Sequence, residues 1–122
     1  MKQEEKELLL KDLCARFPYK VKAQMPDEYG GYTSAIENID IDGYVVDFEG
    51  TQIEIEFIKP YLFPLSSMTP KQKAELSMLV VGVEDIFKSF LIEVEFYHKH
   101  HIDYRGLIPM GLAIDATGLN IY

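Results

Sequence analysis

The segment HKHHID, residues 98–103, brings together residue types that bind metals and transfer protons. His98 and His101 are three positions apart, so on a helix they share one side, and Asp103 follows just beyond them. Imidazole and carboxylate groups in this arrangement are suitable ligands for zinc or iron. One interpretation of the chain is therefore a small metal-dependent enzyme centred on this segment. The other is structural, because histidines in the last turn of a helix also interact favourably with its dipole.

A second segment, NIDIDGYVVDFE (residues 38–49), has the spacing of a calcium-binding loop. Set against the pattern D-x-[DN]-x-[DN]-G-x5-E, the segment gives Asn38, Asp40, Asp42, Gly43 and Glu49. Such a loop requires a helix on each side. Neither EYGGYTSAIE before it nor TQIEIEF after it has a helical pattern. We therefore interpret the segment as a β-hairpin rather than as a calcium site.

Two turns, Asp42-Gly43 and Glu49-Gly50, predict the strand register around this segment. As two-residue type I′ turns they set Ile41 opposite Tyr44 in the first hairpin, and the second hairpin extends the same face. The apolar residues then form one core face: Ile39, Ile41, Tyr44, Val46, Phe48, Ile53, Ile55 and Phe57. The opposite face is expected to be wet and carries the candidate binding residues Asp40, Asp47, Glu54 and Glu56.

The net charge of −8 arises in one part of the chain. Between Ala23 and Ile58 there are nine acids and no Lys or Arg. Such a segment repels phosphate backbones, which disfavours nucleic acid as a partner. The acidic face is therefore expected either to be solvated or to contact a basic protein partner.

Three helices are predicted around this sheet. The first covers residues 2–16, with Leu9 and Leu13 on its apolar side and the lone Cys14 buried beside them. The second begins at Thr69, which forms a T-x-x-Q capping box with Gln72. Pro70 occupies its first helical position, and the helix ends or bends at Gly82.

The third predicted helix covers residues 84–101 and is amphipathic. Its apolar arc, which we expect to face the core, contains Ile86, Phe87, Phe90, Leu91, Val94, Tyr97, His98 and His101. Ile92 and Phe96 lie one turn apart in its polar arc. They are expected to pack on another element of the same chain, such as the N-terminal helix, or to form a homo-oligomer interface.

Together these patterns predict a single α+β domain over residues 1–122. It consists of an N-terminal helix, an antiparallel meander sheet of about four strands and two C-terminal helices packed on its apolar face, with the stretch LAIDA as a further strand. The segment IKPYLFPLSSM, with two prolines, is predicted to be a connector. MKQEEKE is not a secretory segment, and apolar runs such as MLVVGV are shorter than the roughly 20 residues of a membrane span. We expect a cytoplasmic protein with no membrane partner.

The segments IKPYLFPLSSMT and HHIDYRGLIPMGLAIDA resemble a family of short, uncharacterised proteins from gut bacteria and their phages. In that family a helix ending in a His pair leads into D-Y-R-G-L-I and then G-L-A. The resemblance covers about the last half of the chain, and it implies no activity and no functional residues.

The function expected from the sequence is that of a non-enzymatic protein-binding or regulatory protein without a cofactor. Its contact surface is predicted to be the acidic sheet face or the Ile92 and Phe96 patch. The metal-dependent enzyme at His98, His101 and Asp103 is the alternative.

Overall fold

The computed structural model describes residues 1–40 and 42–122, and the fold is α+β. Ile41, which the predicted register placed in the core, lies outside these residues. The helices and strands, in chain order, are α1 (Gln3–Arg16), β1 (Lys22–Gln24), β2 (Thr33–Ala35), β3 (Asn38–Ile39), β4 (Tyr44–Val46), β5 (Gln52–Glu54), β6 (Lys59–Pro64), α2 (Pro70–Val80), α3 (Ile86–Lys99), β7 (Ile102–Asp103) and β8 (Ile114–Asp115).

The hydrophobic core is covered by α1 and not by the two C-terminal helices. Leu9 and Leu13 of α1 are fully buried, as predicted, whereas Cys14 is exposed, contrary to the prediction. The remaining core residues come from the strands and the residues next to them, from the turn after β5 and from the segment between β7 and β8: Val21, Ala23, Met25, Ile36, Val45, Ile53, Ile55, Ile58, Leu62, Leu107, Leu112 and Ala113. None of these buried residues belongs to α2 or α3, so the prediction that both helices cover the sheet is wrong.

The strands form two sheets rather than one antiparallel meander. In the larger sheet the order is β2-β1-β6-β7, and β8 also pairs with β6. β6 is antiparallel to β1 but parallel to β7 and β8. The smaller sheet is the antiparallel meander β3-β4-β5. The predicted LAIDA strand is confirmed as β8, whereas the predicted connector IKPYLFPLSSM contains β6, the strand that joins the larger sheet together.

In the meander both hairpins differ from the predicted register by one residue. Val45 is the partner of Ile39 in one hairpin and of Ile53 in the other. The cause is loop length, because Asp40 N–H donates to Tyr44 O at 2.9 Å and closes a loop of three residues rather than two. Three-residue loops of this kind end in a residue with positive φ, which glycine provides.

The second loop repeats the first. Asp47 N–H donates to Thr51 O at 3.1 Å, and Gly50 has a φ of 85°. A one-residue shift exchanges the two faces of a strand. Val45 is accordingly buried in place of Tyr44 and Val46, which are half-buried, and it packs in the core with Ile53, which was predicted correctly. Phe48 and Phe57 were also predicted to be in the core, but Phe48 lies in the second loop and Phe57 in the turn after β5, and both are exposed.

The same shift buries Asp47, which is 1% exposed. Its Oδ1 accepts hydrogen bonds from the N–H groups of Glu49 and Thr51, both at 2.9 Å, and its Oδ2 accepts one from the Tyr32 hydroxyl. Burial alone raises the pKa of Asp47, but these hydrogen bonds outweigh it and hold that pKa below its usual value. The bond to Asp47 also raises the pKa of Tyr32 to about 12. Asp47 is therefore an internal acceptor of its own loop.

Replacing Asp47 with alanine is expected to lower the free energy of unfolding by roughly 2–3 kcal/mol, because three donors lose a buried acceptor. Asp40→Ala is the matched control. Asp40 Oδ1 accepts the two equivalent hydrogen bonds in the first loop, from the N–H groups of Asp42 and Tyr44, but Asp40 is only half-buried. Its cost is expected to be about 1 kcal/mol. Urea unfolding measures both, and equal losses would contradict the structural role assigned to Asp47.

Candidate functional site

The residues of the predicted metal site make separate contacts. His98 Nε2 lies 2.7 Å from the Tyr104 hydroxyl oxygen. The carboxylate of Asp103 is buried and accepts hydrogen bonds from the N–H groups of Leu107 at 3.0 Å and Ile108 at 2.9 Å. Asp103 thus stabilises the turn that follows β7.

His101 is buried beneath the C-terminal residue. Its ring stacks on that of Tyr122, with centroids 4.1 Å apart and planes inclined by 13°. Burial, and next the positive charge of Arg16, lower the pKa of His101 to about 4. Within residues 1–40 and 42–122, no three His, Cys, Asp or Glu residues are grouped so that they could hold a metal ion. The structure therefore does not bring His98, His101 and Asp103 together as a site.

The predicted acidic face is also divided. Asp40 and Asp47 direct their carboxylates into their own loops. Glu54 is exposed, and Glu56 forms an ion pair with Lys6 at 3.2 Å, a contact that lowers the pKa of Glu56. Two of the four predicted carboxylates are thus committed to the fold, and a third is paired.

The two C-terminal helices form a hairpin with well-defined ends. The capping box of α2 is confirmed, because Gln72 N–H donates to Thr69 Oγ1 at 3.1 Å and Thr69 N–H donates to Gln72 Oε1 at 3.0 Å. The chain leaves the helix after Val80, and Gly82 has a φ of 79°. α3 then begins after Asp85, whose side chain accepts from the N–H of Phe87 at 2.9 Å. The helix is therefore not continuous through Gly82.

A buried ion cluster attaches the base of this hairpin to α1. Arg16 and Asp12 are fully buried, and the Arg16 guanidinium donates to both carboxylate oxygens, at 2.8 and 3.2 Å. It also donates to the carbonyl oxygens of Tyr97 in α3 and Ile102 in β7, at 3.2 and 2.7 Å. Arg105 adds a third contact to Asp12 at 3.1 Å. The sequence signal for this cluster was only an Asp and an Arg four residues apart, a spacing that is common on exposed helices.

One face of α3 is half covered and half exposed. Towards the C-terminus, Val94, Tyr97 and His98 are partly buried. The same face continues for more than one turn towards the N-terminus. There its side chains are strongly exposed and form what we name the α3 stripe: Ile86 (76% exposed), Phe87 (77%), Phe90 (60%) and Leu91 (65%). The predicted apolar arc is therefore a real face of the helix, but only its C-terminal half meets the body of the protein.

Ile92 and Phe96 lie on a different side of α3 and face α2. Phe96 is 5% exposed, and its ring centroid lies 4.3 Å from that of His100. Both residues line an open groove of about 750 Å³ between the two helices, which we name the hairpin groove. Its other lining residues are Lys71, Ala74, Glu75, Met78, Leu79, Glu95, Lys99 and His100. The predicted packing of Ile92 and Phe96 on another element of the same chain is thus directed towards α2.

The ion cluster makes Arg16 the side chain whose loss should loosen the hairpin most. Arg16→Lys is expected to lower the free energy of unfolding by roughly 2–4 kcal/mol, because an ammonium group cannot reproduce four hydrogen bonds on three elements. Arg105→Lys is the matched control, since Arg105 is partly exposed and makes one contact with Asp12. Its expected cost is below about 1 kcal/mol. Urea unfolding of both variants provides the measurement, and a similar cost for each would contradict the anchoring role.

His101 predicts a pH dependence of stability. Its pKa of about 4 in the folded chain lies below the value of about 6.5 expected when unfolded. The unfolded state therefore binds the extra proton between these values, so the stability present above pH 6.5 is lost as the pH falls towards 4. We expect a loss of roughly 2–3 kcal/mol from this group.

His101→Asn tests this, because Asn tolerates the positive φ of 56° at this position but does not titrate. Unfolding free energies of both proteins at pH 7, 5.5 and 4 should show a smaller decline for the variant. Parallel declines would show that His101 is not the responsible group.

Comparisons with known proteins supply no relative for this chain. It matches no protein-family model, no curated protein and no solved structure. Among the described residues, no helix has both the length and the apolar character needed to cross a membrane. A functional conclusion therefore depends on the chain's own surfaces, of which the α3 stripe is the most unusual.

Proposed function

We propose that this chain is a non-enzymatic protein-binding protein and that the α3 stripe is its contact surface. The observation that supports this proposal is the exposure of four neighbouring large apolar side chains on one face of a single helix. Single exposed apolar residues are common on protein surfaces, whereas a contiguous group marks an interaction site. Two of the four are phenylalanines, and aromatic residues are enriched in protein interfaces.

The α3 stripe lies on a helix that is already formed before a partner binds, which favours binding. Asp85 caps the N-terminus of α3, and Arg16 holds its C-terminal end against α1 and β7. A surface that is ordered before the partner arrives loses less conformational entropy on association. Burial of one phenylalanine contributes roughly 1.5–3 kcal/mol, so we expect Phe87 and Phe90 to contribute much of the binding free energy.

The other candidate surfaces give weaker support for a function. The acidic face has Asp47 buried and Asp40 turned into its loop. The metal-dependent alternative requires three ligands that meet, and His98, His101 and Asp103 each contact other groups. The α3 stripe needs no rearrangement of the fold to meet a partner.

The first test asks whether the α3 stripe is dispensable for folding. Phe87→Ser is expected to change the free energy of unfolding by less than about 0.5 kcal/mol, because the side chain is 77% exposed. Phe96→Ser, at a buried position of the same helix, is expected to cost roughly 3–5 kcal/mol. A similar loss at both positions would show that Phe87 has a structural role instead.

The second test asks whether the α3 stripe contacts another protein in cells that produce this chain. A photo-crosslinking residue at position 87 or 91 should give a discrete adduct with another polypeptide, and Phe90→Ser should abolish it. The same crosslinking residue at position 48 or 57 is the control, since Phe48 and Phe57 are also exposed but belong to the second loop of the meander and to the turn after β5. No adduct at 87 and 91, or the same adducts from all four positions, would overturn the proposed function.

A further inference from the structure

Acidic side chains surround the α3 stripe. Between residues 84 and 95 there are four acids, and Lys88 is the single base. Glu84 and Asp85 precede the first turn of α3. At 100° per residue, Glu93 falls beside one edge of the stripe and Glu95 beside the other, where the Glu95 carboxylate accepts a hydrogen bond from the Tyr19 hydroxyl at 3.1 Å. The α3 stripe is therefore an apolar surface with two carboxylates at its N-terminal end and one beside each edge at its C-terminal end.

We propose that the partner presents an amphipathic helix whose apolar stripe is flanked by Lys or Arg residues, and that this helix packs along the α3 stripe. The inference rests on the proposed function and specifies the chemistry of the partner. Apolar side chains of the two helices exclude water between them, while basic residues of the partner lie opposite Glu84 and Glu93. Complementary charge at the rim of an interface increases the association rate and selects between partners.

A helix fits this surface because the α3 stripe is one helix face wide. Residues three and four positions apart form ridges on a helix, and the ridges of a second helix fit into the grooves between them. Ile86 and Phe90 are four apart, as are Phe87 and Leu91, so the α3 stripe has two such pairs. Helix-on-helix packing thus covers the stripe without changing the backbone.

The charges favour this partner over two other occupants. A second copy of the chain would bring the same carboxylates to the interface and a further net charge of −8, and like charges across an interface are unfavourable. An anionic membrane surface would be repelled by Glu84, Asp85, Glu93 and Glu95 for the same reason. A basic helix gains from these side chains.

The probe is a designed peptide of about 18 residues, long enough to form a helix, with leucine at helical spacing and lysine elsewhere. The comparison peptide has the same leucines and glutamate in place of lysine. The purified full chain is expected to bind the leucine-lysine peptide in the micromolar range and at least about tenfold more tightly than the leucine-glutamate peptide, with an affinity that falls as salt is added. Titration calorimetry measures both.

Variants separate specific docking from general attraction to an acidic protein. Phe87→Ser and Leu91→Ser leave the charge unchanged and should weaken binding of the leucine-lysine peptide about tenfold each, the size of one lost interface anchor. Phe48→Ser and Phe57→Ser, on exposed positions elsewhere, should have no effect. The double variant Glu84→Lys with Glu93→Lys should shift the preference towards the leucine-glutamate peptide.

Several outcomes would overturn this inference. They are equal affinity for the two peptides, no binding of either peptide, or binding that the Phe87 and Leu91 variants retain. A stripe-dependent dimer in sedimentation equilibrium would assign the surface to a second copy, and stripe-dependent binding to anionic phospholipid vesicles would assign it to a membrane. If crosslinked adducts at positions 87 and 91 persist while any of the peptide results fails, the proposed function stands and the basic helix is wrong. If the adducts fail as well, both fall.

Discussion

The buried guanidinium of Arg16 determines where the exposed helix surface lies. It donates to Asp12 in its own helix, to the Tyr97 carbonyl in the last turns of α3 and to the Ile102 carbonyl in β7. A movement of α3 against the body would break these bonds in a region closed to solvent, and unpaired buried charges are costly. The direction of α3 is therefore fixed at its C-terminal end, and its N-terminal half extends beyond the core.

Local interactions compensate for the absence of core contacts in this half of the hairpin. Thr69 and Gln72 cap α2, and Asp85 caps α3. Short helices are marginally stable alone, so these caps and the contact between α2 and α3 must maintain the helical state that the core does not impose. Stability in the chain is accordingly uneven, which is typical of elements that take part in binding. A partner on the α3 stripe would strengthen the least supported part of the fold.

Signals that act within a few residues were predictable from the sequence, and pairings that depend on loop length were not. The cap at Thr69 and the break at Gly82 are local and were predicted correctly. The Asp-Gly dipeptide occurs in hairpin loops of two and of three residues, and here the Asp40 carboxylate selects the longer loop by binding its N–H groups. β6 was missed because prolines are rare inside sheets, but Pro60 and Pro64 stand near the ends of this strand, where they disturb the ladder least.

The candidate site shows what periodicity can and cannot reveal. The pattern of α3 identified the apolar face correctly, because that face depends only on the rotation per residue. How much of that face is buried depends on how far the rest of the domain extends along the helix. That extent is determined by α1 and by strands distant in sequence. α3 is 14 residues long, about 21 Å, and its contact with Arg16 lies at the C-terminal end. The same sequence pattern thus describes a helix whose apolar face packs on its own chain and a helix whose apolar face is left exposed for another protein. The three-dimensional position of Arg16 distinguishes these two cases here.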